Sequence, residues 1–354
     1  MRSIEFHNRE KEIKEIRYIL DTKPTLITFI YGPMNSGKTE LIGHLIERLP
    51  KEYVVFYINL RGKFISSYKD FVRALFKLER EKKEYKEILK TLSEVSLKSL
   101  KFTGIPITEG VLDLFFREKT YEDVFEFLED YFVKIAENKV PVLIVDEMQK
   151  IGDVKIDTYL VYELFNLFIR LTKELHLCHV FAISSDSLFI ERVYSEAMLQ
   201  GRCRYLLVDD FDEETAIDFL NKYRFSDKEK EIAWHYCGGK PVYLVEAINS
   251  ENKEKKIKEM LEIRKGQIKQ RIRVLKIVSK KILFEEEEIE IKYDNIIKIL
   301  ERFLNEESYP YEVITPEITY LVKENILFVD PVKCIIKPQS KLDLLAIREV
   351  VKNG

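Results

Sequence analysis

Residues Thr25 to Leu41 read TLITFIYGPMNSGKTEL, and this stretch narrows what the chain can fold into more than any other. An apolar run (Leu26, Ile27, Phe29, Ile30, Tyr31) leads into Gly32-Pro33-Met34-Asn35-Ser36-Gly37-Lys38-Thr39, and a helical pattern opens at Thr39. The spacing is G-x-x-x-x-G-K-[ST], set between a buried strand and a helix. The glycines let the backbone curl until several N–H groups converge on one point. The helix behind that point adds the partial positive charge of its N-terminus. Such a concavity suits a phosphate chain. Lys38 is placed to reach the outer phosphates, and the Thr39 hydroxyl to bind Mg²⁺. Residues 32 to 40, Glu40 included, are the expected nucleotide-binding set.

A second anchor lies at Val140-Pro141-Val142-Leu143-Ile144-Val145-Asp146-Glu147, an apolar strand that runs straight into two acids. After a phosphate loop, the first acid (Asp146) holds Mg²⁺ and the second (Glu147) orients and deprotonates a water. Gln149 follows, either to place that water or as an ordinary surface polar residue. Between the anchors, Tyr53 to Leu60 reads as a second buried strand ending in polar Asn59 and Arg61. Strand, helix, strand at this spacing predicts a right-handed parallel unit. Tyr68 to Leu78, Tyr85 to Leu92 and Tyr121 to Ala136 show helical spacing, and Leu100 to Pro106 breaks it as a small hairpin or loop.

His179 to Ser185 is a further strand. Its Ser184-Ser185 end either touches the γ-phosphate or starts a turn and caps the next helix. Arg202, after Gly201 and before the last strand Tyr205 to Val208, is either a charge stabiliser, in cis or across an interface, or a surface residue. Near the start, a helix runs to Leu20 with Asn8 as its N-cap. Phe6, Asn8 and Arg9 are candidates to pack on an adenine.

The 354 residues predict two or three domains, and 46% hydrophobic content excludes a disordered chain. A net charge of −3 excludes no class of partner. Four scattered cysteines without a C-x-x-C suggest reduced thiols in a cytoplasmic protein. No signal core or run of 18 apolar residues stands out, so no membrane association is expected. His176-Leu177-Cys178-His179 lacks a second ligand pair for zinc.

From Asp209 the composition changes. Asp212 caps a helix over Thr215 to Tyr223, Lys228 to Cys237 forms another, and Gly238-Gly239-Lys240-Pro241 breaks before Val242 to Asn249. Pro241 suits a helical first turn and is also placed to pack on an adenine. Lys253 to Lys281 is basic and an acidic run, Glu285 to Glu288, follows; both read as solvated faces. The remainder suggests a small winged helix-turn-helix domain. Its helices are Ile268 to Val278, Asn295 to Leu304 and Thr315 to Glu324, its wing Ile326 to Val329 with Cys334 to Lys337, and a last helix spans Leu342 to Val351.

Taken together, these motifs resemble the archaeal ATPase family, a branch of the STAND and AAA+ group of P-loop NTPases. The resemblance rests on Phe6-x-Asn8-Arg9-Glu10, the phosphate loop, Leu143 to Gln149, Ser184-Ser185, Gly201-Arg202, Gly239-Lys240-Pro241 and the C-terminal winged helix. It departs from many relatives in its serine pair. It implies an α/β P-loop domain with a mostly parallel sheet (1–208), a helical lid (209–262) and a winged helix (263–354). It further implies ATP or ADP with Mg²⁺ held between sheet domain and lid, and a winged helix that reports nucleotide state. The expected function is a slow Mg²⁺-dependent ATPase used as a switch, with a protein partner or self-association. The alternatives are an ATP-regulated DNA-binding protein of the replication-initiator type, contacting DNA through the winged helix, and an assembly protein that binds nucleotide without turnover.

Overall fold

The computed structural model describes residues 4–78, 100–118, 121–152, 154–156, 158–284 and 287–352. Its central sheet has six strands in the order Cys203–Leu207, Ile27–Tyr31, His179–Ser184, Val140–Asp146, Tyr53–Asn59 and Leu100–Thr103. All five pairings are parallel. The strands carry near-continuous apolar runs because both faces are covered. Ile27, Phe29 and Tyr31 enter one core with Val54, Phe56, Leu143 and Val145. Ile30, Val55, Val142, Ile144 and Phe181 enter the other. The helices Glu10–Leu20 and Lys38–Glu47 cover this second face through Ile16, Ile19, Leu41 and Leu45.

Two expectations for the middle of the chain need correction. The helix from Tyr68 ends at Leu75, and Phe76–Leu78 continues as a strand paired in parallel with Ile105–Ile107. Residues 100–106 are not a hairpin: Leu100–Thr103 extends the central sheet beside Tyr53–Asn59, and Gly104 turns the chain away from it. Three- and four-residue runs carry too little periodicity to reveal such pairings. The helix expected over 85–92 lies outside the described residues.

Beyond the sheet, helices Glu213–Lys222, Asp227–Cys237 and Pro241–Ile248 follow, close to the three helical stretches read from the sequence in the segment called the lid here. A helix does not begin near Ile268: Lys253–Arg273 is continuous, and the boundary drawn at 262 falls inside it. Ile257, Leu261, Ile268 and Ile272 lie on its one buried stripe, which overrides the basic composition of its other faces. A hairpin, Lys280–Phe284 with Glu287–Ile291, follows where a solvated acidic loop was expected. Then come helices Tyr293–Glu301, Pro316–Lys323 and Lys341–Lys352, and an antiparallel pair Leu327–Asp330 with Ile335–Pro338. Lid and C-terminal elements share one hydrophobic core, from Ala216 and Leu244 to Leu321 and Ile347. Among the described residues no helix is long and apolar enough to cross a membrane.

Candidate functional site

A cleft of about 930 Å³ opens at the C-terminal edge of the sheet. That size lies within the usual range of ligand sites, about 300–1,000 Å³. Met34, Asn35, Gly37, Lys38, Thr39, Glu40, Glu147 and Pro241 line it. The strand before the loop and the helix after it set the loop's shape. Gly32 has no room for a side chain, since a Cβ would stand 2.1 Å from the Val208 carbonyl oxygen. Pro33 and Ser36 form the loop's underside, where Lys38 Nζ donates to the carbonyls of Gly32 and Pro33 at 3.0 and 2.9 Å and to Ser36 Oγ at 3.3 Å. Burial, and then the like charge of Lys240, lower the Lys38 pKa to about 7.

The two acids follow directly from the strand Val140–Asp146. Thr39 Oγ1 donates to Asp146 Oδ2 at 3.2 Å, and Tyr57 Oη donates to the same oxygen at 2.5 Å. Burial, then the bond to Asp146, push the Tyr57 pKa up. A hydroxyl and a carboxylate oxygen side by side are the hard donors Mg²⁺ prefers, so these residues fit that ion. Glu147 has a left-handed backbone (φ 62°), and its N–H donates to Asp146 Oδ1 at 2.9 Å. Gln149 Nε2 donates to Glu147 Oε2 at 2.6 Å, and Ser184 Oγ donates to Gln149 Oε1 at 2.9 Å. Ser184 also accepts from the Asp186 N–H, so it holds the turn and Gln149 together.

Arg61 is a site residue that sequence reasoning missed. Its Nε donates to Glu147 Oε1 at 3.0 Å, and its NH2 forms an ion pair with the same oxygen. The signal was available, since Arg61 follows the polar end of the strand beside Asp146.

Three expected placements change. Arg202 lies at the opposite end of the sheet: it precedes a strand parallel to Ile27–Tyr31, and its carbonyl accepts from the Ile27 N–H. Its guanidinium donates to the Met198 carbonyl. It therefore cannot reach the cleft of its own chain. Asn8 is not the helix cap; Arg9 occupies that position, and Asn8 Oδ1 accepts from the Glu10 N–H. Nor do Phe6, Asn8 and Arg9 line the cleft. Phe6 stacks on His44, and Asn8 Nδ2 donates to Thr215 Oγ1 of the lid at 3.0 Å. Arg9, 7% exposed, donates to the Ser36 carbonyl at 2.6 Å and lies over the Phe211 ring, tying the phosphate loop to the lid.

Lid and C-terminal unit both grip the loop tip. Lys240 Nζ donates to the Met34 carbonyl at 3.1 Å and pairs with Asp210 at 2.8 Å. The Met34 N–H donates to Gln339 Oε1 at 3.1 Å. Gly239 is pressed against Phe211, whose carbonyl oxygen would lie 1.8 Å from a Cβ, so only glycine fits there.

Comparison with known proteins agrees with this geometry. Residues 6–247 match the model described as an ATPase domain predominantly from Archaea. Residues 254–351 match the C-terminal domain of uncharacterized ATP-binding proteins of the MJ1010-like type. An uncharacterized ATP-binding protein of Methanocaldococcus jannaschii is 49% identical, over 99% of this chain and 98% of that protein. One from Pyrococcus abyssi is 44% identical, over 98% of each. Among solved structures, a Walker-type ATPase of Pyrococcus abyssi superposes with a TM-score of 0.64 over 97% of this chain and 96% of that one, at 17% identity.

Proposed function

From the premise that this chain belongs to the archaeal ATPase-domain family, we propose that it binds ATP with Mg²⁺ at the phosphate loop. It hydrolyses the nucleotide slowly and uses that step as a conformational switch. One observation carries the reading: Thr39, Asp146, Glu147, Gln149 and Ser184 form a continuous hydrogen-bonded set beside the loop. Loop amides and Lys38 hold the phosphates. Thr39 and Asp146 hold Mg²⁺, which when bound neutralises charge on the phosphate oxygens. Glu147 takes a proton from water as the water oxygen bonds to the γ-phosphorus and the bond to the departing ADP breaks. Gln149, fixed by Ser184, sets the carboxylate's direction. Arg61 neutralises Glu147 in the resting arrangement and must move for it to act as a base. Pro241, Val242 and Val245 form the lid wall, and loss of the γ-phosphate loosens the lid.

The replication-initiator reading draws less support. The third helix expected for the winged-helix domain, observed as Pro316–Lys323, has Ile318 to Val322 buried and ends on the cleft, which leaves little of it to lie against DNA.

The test is Mg²⁺-dependent ATP binding and turnover in wild type and Glu147→Gln. The variant should bind ATP while its turnover falls at least about 100-fold. Tight binding by both, with no turnover by either, would leave the nucleotide as a fixed structural ligand.

A further inference from the structure

The C-terminal unit forms one wall of the cleft. Besides the Gln339 contact to the loop tip, Tyr31 Oη donates to Asp330 Oδ1 at 2.8 Å, and the Val329 N–H donates to Ser187 Oγ at 3.2 Å. Ser187 opens the helix just after Ser184, which holds Gln149 against Glu147. The seam therefore lies on the side of the cleft where the terminal phosphate would meet Glu147. Helix Pro316–Lys323 packs on the helix that Ser187 opens, and both Lys323 and Asn325 line the cleft.

Four cationic side chains line it: Lys38, Arg61, Lys150 and Lys323. Lys38 is held by loop carbonyls and Arg61 by Glu147. Lys323 is exposed, and among the described residues its ammonium has no ion-pair or hydrogen-bond partner. Lys150 is likewise exposed and unpaired, but it follows Glu147 on the sheet domain itself. Lys323 belongs to the other body. A contact made by Lys323 would join two bodies, which a contact made by Lys150 would not.

We propose that Lys323 is a phosphate-binding residue whose ammonium contacts the terminal phosphate of bound ATP. The triphosphate, and not the diphosphate, then pins the C-terminal unit to the phosphate-loop domain. This rests on the ATP-binding reading of the cleft. An ammonium–phosphate bond is charge-assisted and among the stronger polar contacts a protein makes.

The experiment is calorimetric titration of the full chain, with Mg²⁺, using ADP and a non-hydrolysable ATP analogue. The proteins are wild type, Lys323→Ala, Lys323→Arg and Lys150→Ala. Lys323→Ala should lose roughly ten- to hundredfold in affinity for the triphosphate analogue and keep its affinity for ADP. Lys323→Arg should retain most of the triphosphate affinity. Wild-type binding with no loss in Lys323→Ala, or an equal loss for both nucleotides, overturns this inference and leaves the ATP-binding reading standing. A selective loss in Lys150→Ala with none in Lys323→Ala also overturns it and assigns the contact to the sheet domain. Failure of wild type to bind either nucleotide overturns both readings.

Discussion

Lys38 makes nucleotide binding a proton-linked event. Burial comes first and the charge of Lys240 second in lowering its pKa from 10.5 to about 7, against the pull of Asp146, Glu147 and Asp210. A phosphate placed against the ammonium favours the charged form and returns the pKa at least to the ordinary range. The difference of about 3.5 units corresponds to about 5 kcal/mol. In the free protein the folded pKa lies below the unfolded one, so between about pH 7 and 10.5 the unfolded chain binds more protons. The destabilising effect of a charged Lys38 is fully present below about pH 7 and fades as pH rises through that window. Binding reverses this by recruiting a proton. At about pH 8.5 nearly one proton should be taken up per nucleotide, and at about pH 7 about half of one. Calorimetric titration with Mg²⁺ and ADP, in two buffers of different ionisation enthalpy, reads that uptake directly. In Lys38→Gln whatever binding remains should be free of it. Wild-type binding at about pH 8.5 without proton uptake would refute the argument.

Other substitutions test the remaining parts. Arg61→Ala frees the Glu147 carboxylate from its ion pair and should raise basal ATP turnover several-fold, about 1 kcal/mol in barrier; a fall would place Arg61 on the phosphates instead. Gly239→Ala puts a Cβ 1.8 Å from the Phe211 carbonyl oxygen. It should destabilise the lid by about 1–3 kcal/mol, seen as a thermal midpoint several degrees lower, and an unchanged midpoint would show that this contact yields freely.

The phosphate loop and the acidic strand were legible because their chemistry is local. One strand, one turn and one helix carry Gly32 to Thr39, and one strand end carries Asp146 and Glu147. Chain direction alone could have corrected Arg202: a residue that precedes a parallel strand lies at the edge opposite a loop that follows one. Asn8 and Arg9 were expected against an adenine and instead hold Thr215 and the Ser36 carbonyl, partners from distant elements that local spacing does not reveal. The C-terminal contribution was not legible. Gln339 meets Met34 across 305 positions of sequence, and no periodicity encodes such a meeting. The continuous helix Lys253–Arg273 was hidden by its charge, since four buried residues in 21 leave a low apolar average even where they share one stripe.

That helix also fixes how the molecule can move. At 1.5 Å per residue it is about 30 Å long, and it packs both on lid helices Asp227–Cys237 and Pro241–Ile248 and on the terminal helix Lys341–Lys352. With a common core, lid and C-terminal unit are geared together and cannot turn separately. A tilt of about 10° at the cleft would sweep the far end of such a 30 Å lever by about 5 Å. On the proposed switch, a difference of one phosphate group beside the loop tip that Lys240 and Gln339 hold would become a displacement of several ångströms at a surface remote from the cleft.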